Sequence, residues 1–492
     1  MFLGIDLGTS GVKAVLVDDA GALVGEAASP LPVSNPQPLW SEQDPDTWWR
    51  ATVAAVAALD AVALGAVEGV GLTGQMHGAV LLDAQHRVIR PAILWNDGRA
   101  ADACLELERR EPQSRAITGN LAMPGFTAPK LIWIAEHEPQ HFRRIAQVLL
   151  PKDWLRYRLT GEFVSEPSDA AGTLWLDVAR RQWSRAMLAA CGLDERQMPR
   201  LVEGTEVSGR LTRDAAAALG LRPGIPVAGG GGDNACGAVG IGVIHPGDAL
   251  LSLGTSGVIF VADAELHADP ARGVHAFCHC IPQTWHRMAV TLSGAGTLSA
   301  VARLVGATSE AELLVAIEVA GISAPAKSRL VMLPYLSGER TPHNDPAATG
   351  VFFGLDGASR REDLGRAALE GVAFALADGL DALEATGTRI DALSVIGGGS
   401  RSRFWGRIIA AALARPLVYP RGGEVGPALG AARLARIAVG AASLDEACPP
   451  AAVANVIEPD AALAAALAPR RALFRRLYAD LRPSFTASIA VA

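Results

Sequence analysis

The chain has 492 residues, half of them apolar, which is more than one hydrophobic core usually fills and therefore predicts at least two domains. Charged residues make up 19% and the net charge is −7, which excludes a disordered chain and the basic stripe that nucleic acid requires. The residues after Met1 lack the charged and apolar regions of a secretory leader, no apolar run is as long as a membrane span, and the six cysteines contain no Cys-x-x-Cys. We therefore expect no secretion and no membrane insertion, and a cytoplasmic enzyme with reduced thiols.

The N-terminal residues predict a three-stranded meander with strands at about 2–6, 12–17 and 22–28. Its first turn is Gly8-Thr9-Ser10-Gly11, which offers backbone N–H groups and two hydroxyls to phosphate oxygens. Asp6, at the end of the first strand, is suited to hold a hydrated Mg²⁺. The turn is not a Walker A loop, and taken alone a plain hairpin is the simpler interpretation.

Glycines in residues 69–74 match the Gly-x-Gly-x-x-Gly pattern of dinucleotide-binding proteins. We reject that interpretation because residues 79–82 read as a strand, whereas the motif must open a helix. What remains is Met76 and His77 at a strand end, an apolar surface beside a hydrogen-bonding imidazole. A lone histidine is more often structural than functional.

Residues 94–99 (Leu-Trp-Asn-Asp-Gly-Arg) combine an aromatic face with polar groups of both signs. Trp95, Asp97 and Arg99 together suit a neutral polyol, whose hydroxyls need donors and acceptors against an apolar wall. The alternative is a polar loop with a surface ion pair, worth at most about 1 kcal/mol. Helices are predicted next, at 99–111, 127–138 and 151–160.

Four consecutive glycines, Gly229 to Gly232, precede Asp233 and Asn234. Such a run allows backbone to approach a ligand closely, and the small residues after it favour a helix. The helix would place the carboxylate beside N–H groups that attract anions, which indicates phosphoryl chemistry. Equally compatible is a flexible turn in which Asp233 is an N-cap, worth about 1 kcal/mol.

A repeat decides between these two interpretations. The pentapeptide Gly-Thr-Ser-Gly-Val occurs at residue 8 and again at residue 254, 246 residues apart, which is half the chain length. Each copy lies between two apolar strands. Two like halves, each with one phosphate-binding turn, are the natural inference.

Residues 275–280 (His-Ala-Phe-Cys-His-Cys) contain zinc-ligand residue types at short spacing. This stretch and residues 285–292 are predicted to form a hairpin. Because side chains alternate between the two faces of a strand, the cysteines and histidines point in opposite directions. We therefore favour a structural role over a metal site.

A second glycine-rich turn follows the strand predicted at 393–396. Gly397, Gly398 and Gly399 lead into a helix with basic residues, a turn that admits an adenosine or phosphate closely. Residues 422–432 read as a loop feeding a tightly packed helix. The tail, 460–482, is predicted to be an amphipathic surface helix.

Together these features resemble the FGGY family of sugar kinases. Both family signatures have matches, in residues 125–137 (Gly-Phe-Thr-Ala-Pro-Lys-Leu-Ile-Trp-Ile-Ala-Glu-His) and in residues 350–370. The resemblance extends from residue 2 to about 436. It implies an α/β, actin-like (ribonuclease-H-like) fold with a central cleft between a sugar-binding domain, 1–245, and a nucleotide-binding domain, 246–492.

The resemblance also implies the roles of individual residues and the ligands. ATP and Mg²⁺ are the expected cofactors, with Asp233 as the general base and Asp6 holding the metal through water. The substrate-binding residues would be Met76, His77, Trp95, Asp97, Arg99 and Asn234. The nucleotide-binding residues would be Gly8, Thr9, Ser10, Lys13, Gly254, Thr255, Ser256, Gly294, Gly398 and Gly399. Relatives suggest a homodimer.

Shorter motifs, including Gln75-Met76-His77-Gly78 and residues 334–342 (Pro-Tyr-Leu-Ser-Gly-Glu-Arg-Thr-Pro), are similar to the family members that phosphorylate D-xylulose. Residue spacing alone does not distinguish that acceptor from L-ribulose, L-fuculose, glycerol or gluconate. A non-catalytic ATP-driven binding protein with an actin-like or Hsp70-like fold would share both phosphate turns. A dehydrogenase is supported only by the glycine pattern of residues 69–74.

Overall fold

The computed structural model describes residues 1–321, 329–421 and 426–489, with side chains as far as residue 487. The predicted loop at 422–425 lies outside the described residues. Within them, no helix is both long and apolar enough to span a bilayer.

The first half of the chain alternates short strands with helices. Its strands are β1 (Phe2–Leu7), β2 (Gly11–Val17), β3 (Leu23–Pro30), β4 (Glu42–Gln43), β5 (Gly69–Gly74), β6 (Val80–Leu82), β7 (Ala92–Ile93), β8 (Gln147–Leu149), β9 (Val164–Ser165), β10 (Leu176–Asp177), β11 (Gln182–Trp183), β12 (Arg200–Leu201), β13 (Val207–Arg210), β14 (Pro226–Ala228) and β15 (Gly231–Gly232). Its helices are α1 (Pro45–Ala57), α2 (Ala61–Gly65), α3 (Ala101–Arg110), α4 (Ser114–Thr118), α5 (Thr127–His137), α6 (Pro139–Phe142), α7 (Pro151–Thr160), α8 (Pro167–Ala171), α9 (Arg185–Ala190), α10 (Arg213–Leu219) and α11 (Asp233–Gly240).

The second half follows the same alternation. Its strands are β16 (Ala249–Leu253), β17 (Gly257–Asp263), β18 (His275–Cys278), β19 (Trp285–Thr291), β20 (Val331–Leu333), β21 (Val351–Phe353), β22 (Leu393–Ile396), β23 (Leu417–Pro420) and β24 (Val453–Ile457). Its helices are α12 (Ala295–Leu304), α13 (Glu310–Val319), α14 (Arg361–Glu384), α15 (Arg403–Leu413), α16 (Gly426–Ala438), α17 (Leu444–Ala447) and α18 (Ala461–Ile489).

Each half builds one mixed sheet, and the two sheets have equivalent topology. The first has the order β13-β14-β5-β1-β2-β3, and the second has the order β24-β23-β22-β16-β17-β19-β18. In both, an antiparallel meander (β1-β2-β3 and β16-β17-β19) is extended by two parallel strands and closed by an antiparallel edge strand. The two like halves inferred from the repeated pentapeptide are confirmed.

Helices α11 and α16 connect the two halves. They pack against each other, and α16 also lies on β1 and β5 of the first sheet. Gly4 and Gly71 make this approach possible, because a Cβ at either position would overlap a backbone carbonyl oxygen of α16. A helix of the second half therefore completes the core of the first, and the division of the chain at 245/246 stays a prediction.

Most predicted elements have the expected type. The meander, the strand at 80–82 that argued against a dinucleotide fold, and the hairpin of β18 and β19 are all present. No group of three or more metal-ligating side chains occurs among the residues that the structure describes. Helix α18 buries Phe474, Tyr478 and Phe485 on one side, as the amphipathic pattern of the tail predicted.

Candidate active site

Two carboxyl groups meet at one edge of the first sheet. Gly74, at the end of β5, pairs with Leu7 of β1 on one side and with Gly232 of β15 on the other. Asp6 precedes this row by one residue and Asp233 follows it by one, at the first position of α11. Strand register therefore places both acids together, although they are 227 residues apart in the chain.

Both carboxyls are half-buried, and their surroundings favour the protonated form. Burial raises the pKa of Asp6 to about 7, with a further rise from the charge of Asp233 and an opposing effect from Lys13. Burial also raises the pKa of Asp233 to about 6. Hydrogen bonds from Asn234 oppose this rise, because its backbone N and Nδ2 donate to Asp233 Oδ1 at 2.7 and 2.9 Å.

The four glycines before Asp233 are required by protein packing, which corrects the expectation that a ligand approaches them. All four are buried. A Cβ on Gly229 would overlap the carbonyl oxygen of Glu203, and one on Gly230, at φ +70°, would overlap that of Leu72. A Cβ on Gly231 would lie 2.7 Å from Cys280 Cβ. The run thus lets the backbone before Asp233 pack closely against residues 203, 72 and 280.

Buried polar groups hold this backbone from behind. Arg156 donates to the carbonyl oxygens of Ala228 and Gly229 at 2.6 Å each. Ser168 Oγ accepts a hydrogen bond from Gly232 N at 3.0 Å. The sequence analysis did not assign these residues, because their role depends on contacts across more than 60 residues of chain.

Met76 lies against Gly232, the residue before Asp233, and His77 follows Met76 in the chain. Met76 is buried, and its Sδ would be 2.9 Å from a Cβ on Gly232. His77 is half-buried at φ +69°, and its Nδ1 lies 2.7 Å from the carbonyl oxygen of Gly172. Since a carbonyl only accepts, Nδ1 carries the proton and Nε2 is left as an acceptor. Burial lowers the His77 pKa to about 3, so the ring is neutral.

A buried lysine fixes the backbone of His77. Lys130 Nζ donates to the carbonyl oxygens of His77 and Gly125, each at 2.8 Å, and Thr127 Oγ1 donates to the same His77 oxygen at 3.1 Å. Burial lowers the Lys130 pKa to about 7. These contacts hold His77 in its left-handed conformation, which is unusual for a residue other than glycine.

The 94–99 loop divides into an exposed part and a buried part. The Trp95 ring is 40% exposed, and its Nε1 donates to Thr9 Oγ1 at 3.0 Å, so the aromatic face stands beside the first turn. Asp97 and Arg99 form a buried pair instead of a surface one, with side chains about 1% exposed. Arg99 also pairs with Glu42. Both side chains are occupied by protein partners, and sugar binding by them stays a prediction.

Three loops of the second half converge where its central strands end. The turn Gly254-Thr255-Ser256 follows β16, and Gly294 precedes α12. Ala295 N donates to the carbonyl oxygen of Gly254 at 2.7 Å, and a Cβ on Gly294 would meet Ser256 at 2.5 Å. Gly398 and Gly399, in a short 3-10 helix after β22, complete the group, and no atom lies within 4 Å of a Cβ on Gly398. This open, glycine-lined crevice suits a nucleotide.

Protein groups occupy part of the first turn. Gly8 N donates to the carbonyl oxygen of Gly11 at 3.0 Å, which closes the turn, and Thr9 Oγ1 donates to Gln75 Oε1 at 2.9 Å. Ser10 is exposed, and Lys13 pairs with Glu26 at 3.0 Å. Backbone N–H groups and the Ser10 hydroxyl are the donors that remain available to a phosphate.

The two halves meet beside His77. Its ring centroid is 6.4 Å from that of Phe277 in β18, and Asn120 Nδ2 donates to the carbonyl oxygen of Ala276 at 2.8 Å. The carboxyl pair and His77 belong to the first half, whereas the glycine-lined crevice belongs to the second. A ligand between them would touch both halves.

Two equivalent sheets, each with a Gly-Thr-Ser-Gly hairpin, and a carboxyl pair at the edge of the first sheet are the features of an actin-like phosphotransferase. Comparison with known proteins gives the family. Residues 1–240 match the FGGY family of carbohydrate kinases, N-terminal domain, and residues 249–439 match the C-terminal domain. The chain belongs to the FGGY family of carbohydrate kinases.

The relatives are similar to this chain along almost its whole length. A xylulose kinase from Escherichia coli (strain K12) is 54% identical over 98% of this chain and 99% of its own length. The solved structure of a xyloylose kinase from Brucella ovis has a TM-score of 0.94 at 49% identity, covering 98% of this chain and 99% of that one. A xylulose kinase from Rhodospirillum rubrum gives 0.91 at 32% identity, covering 99% of each chain.

Proposed function

We propose that this protein transfers the γ-phosphoryl group of ATP to the C5 hydroxyl of D-xylulose, forming D-xylulose 5-phosphate. Membership of the carbohydrate kinase family supports the reaction class. The acceptor is supported by xylulose kinases that are 54% and 32% identical to this chain over nearly its full length.

The observation that carries the chemistry is the half-buried Asp233. A general base works best with a pKa near the operating pH, and burial brings this carboxyl to a pKa of about 6. At neutral pH it is mostly ionised yet still basic enough to accept a proton. Asn234 occupies only Oδ1, so Oδ2 is available to a hydroxyl.

In the proposed mechanism, Asp233 accepts the C5 hydroxyl proton while that oxygen bonds to the γ-phosphorus and the bond from phosphorus to the leaving ADP oxygen breaks. The neutral His77 accepts a hydrogen bond from the sugar through Nε2, and Met76 and Trp95 provide apolar walls. Backbone N–H groups of the two Gly-Thr-Ser-Gly turns donate to phosphate oxygens, which stabilises the charge that develops.

Asp6 fits a role in holding Mg²⁺. Its Oδ1 is buried without a hydrogen-bond partner, and burial, followed by the neighbouring Asp233 charge, raises the pKa of Asp6 to about 7. A carboxyl with an unpartnered oxygen beside a second acid is stabilised by a cation. When bound, Mg²⁺ supplies charge neutralisation to the phosphates. Asp6 would hold the ion through water, which suits an ion that keeps several of its waters.

A coupled assay of ADP formation across a panel of acceptors tests the function. The panel contains D-xylulose, L-ribulose, L-fuculose, glycerol and gluconate, with a reaction without sugar as the control. We expect the highest kcat/KM with D-xylulose and little ADP without an acceptor. A different preferred acceptor would change the substrate, and ADP formation indifferent to every acceptor would indicate the non-catalytic ATP-driven alternative.

A further inference from the structure

Arg340 lies on the second half, on a segment packed along β18 and β19. Its backbone N donates to Glu339 Oε1 at 2.8 Å, and the next residue, Thr341, donates through N to the carbonyl oxygen of Val290 at 3.0 Å. Glu339 also accepts from Leu292 N at 2.6 Å and from Ser293 Oγ at 2.9 Å, immediately before Gly294. The backbone of Arg340 is thus fixed to the strand that leads into the nucleotide crevice.

The guanidinium of Arg340 differs from those of the deeply buried arginines. Arg156 donates to Ala228 and Gly229, and Arg287 pairs with Asp263 at 2.7 Å. Arg340 is half-buried, yet within the described ranges its side chain makes no hydrogen bond or ion pair with protein. A guanidinium has five N–H donors, and a ligand that covers Arg340 must supply acceptors in place of water. Such a group is expected to meet its acceptors in a ligand.

Arg340 lies beside the start of β18, because the next residue, Thr341, donates through Oγ1 to the carbonyl oxygen of Gly273 at 2.8 Å, two residues before His275. Desolvation is the main cause of the low pKa of His77 and His275, and the Arg340 charge lowers both further. The two imidazoles flank Phe126, with ring centroids 4.8 and 5.7 Å from it. Arg340 therefore stands at the contact between the two halves, on the side where His77 lies.

We propose that Arg340 is a further sugar-binding residue, supplied by the second half, which donates to oxygens of the ketose at the end remote from the phosphorylated hydroxyl. This inference rests on the proposed function. The chemistry fits because the C2 carbonyl of a ketose only accepts hydrogen bonds and Arg340 only donates. Charge-assisted hydrogen bonds of this kind are about twice as strong as neutral ones.

The test compares Arg340→Met, which keeps the length of the side chain and removes the donors, with Arg340→Lys, which keeps the charge. We expect Arg340→Met to raise the KM for D-xylulose about tenfold or more and to leave the KM for ATP within about twofold. Arg340→Lys should raise the sugar KM less, by about threefold or more, because a planar fork is replaced by a single point of charge.

Arg389→Met is the matched control, since Arg389 is 85% exposed and pairs only with Asp391. It should leave both KM values unchanged. A sugar KM unchanged in Arg340→Met, or an equal rise in the KM for ATP, would overturn the inference while the kinase activity stood. A wild-type enzyme inactive on every ketose would remove both proposals. If Arg340→Met fails to fold, Arg340→Lys decides by the same comparison.

Discussion

At the scale of the residue, the site depends on two acids that the fold keeps close together. Their raised pKa values mean that the ligand-free folded protein binds protons more tightly than the unfolded chain does. The stability contributed by this difference is fully present below the ordinary aspartate pKa of 3.8 and is lost as the pH rises through about 6 to 7. Above that pH, the two ionised carboxylates therefore destabilise the ligand-free protein.

This predicts that Asp6→Asn stabilises the ligand-free protein at pH 8. The amide has a similar shape and carries no charge, so it removes the repulsion from Asp233. We expect the free energy of unfolding to rise by about 1 kcal/mol at pH 8, after allowing for solvent screening, and to change little at pH 4.5. Urea denaturation at both pH values measures it. A variant less stable than wild type at pH 8 would show that the carboxylate is satisfied by the fold.

At the scale of the element, the glycines at 229–232 allow the backbone to pack closely against its neighbours. Because Gly230 combines φ +70° with contact against Leu72 in β5, Gly230→Ala must strain the backbone and push the strands apart. We expect it to lower the free energy of unfolding by more than about 3 kcal/mol. Thermal or urea unfolding of the purified variant checks this value.

The matched control is Gly161→Ala. Gly161 also has a left-handed φ, of +76°, but no atom lies within 4 Å of its Cβ position. In Gly161→Ala only the strain of a left-handed backbone lowers the free energy of unfolding, by about 1–2 kcal/mol. Equal losses in the two variants would mean that the packing against β5 contributes nothing and that the run is kept for another reason.

Many secondary-structure elements are predictable from the sequence, whereas several side-chain contacts of the site are not, and the difference has a physical cause. Local patterns predicted the meander, the strand at 80–82 and the β18-β19 hairpin, because turn residues and alternation act over a few positions. Three features of the site depend on contacts across tens to hundreds of residues. They are the burial of Asp97 and Arg99, the contact of Lys130 with the backbone of His77, and the lack of a side-chain partner for Arg340 among the described residues. Residue type alone did not reveal which polar groups would find protein partners.

At the scale of the whole molecule, the repeated pentapeptide predicted two equivalent sheets, and these are present. The return of α16 to the first sheet and the meeting of Asn120 with Ala276 were not predictable from spacing. They tie the two halves together beside His77. The residues that we propose for sugar binding then lie mainly on one half and the loops that we propose for nucleotide binding on the other, and Asp233 is the first residue of α11, which packs against α16.

The central claim is that Asp233 acts on a sugar and a nucleotide that the two halves bind independently of it. Asp233→Ala tests this most directly, with sugar and ADP affinities measured by calorimetry and turnover by the coupled assay. We predict that both affinities stay within about threefold of wild type and that kcat falls at least a hundredfold, the usual contribution of a general base. Near-normal turnover in this variant would contradict the account.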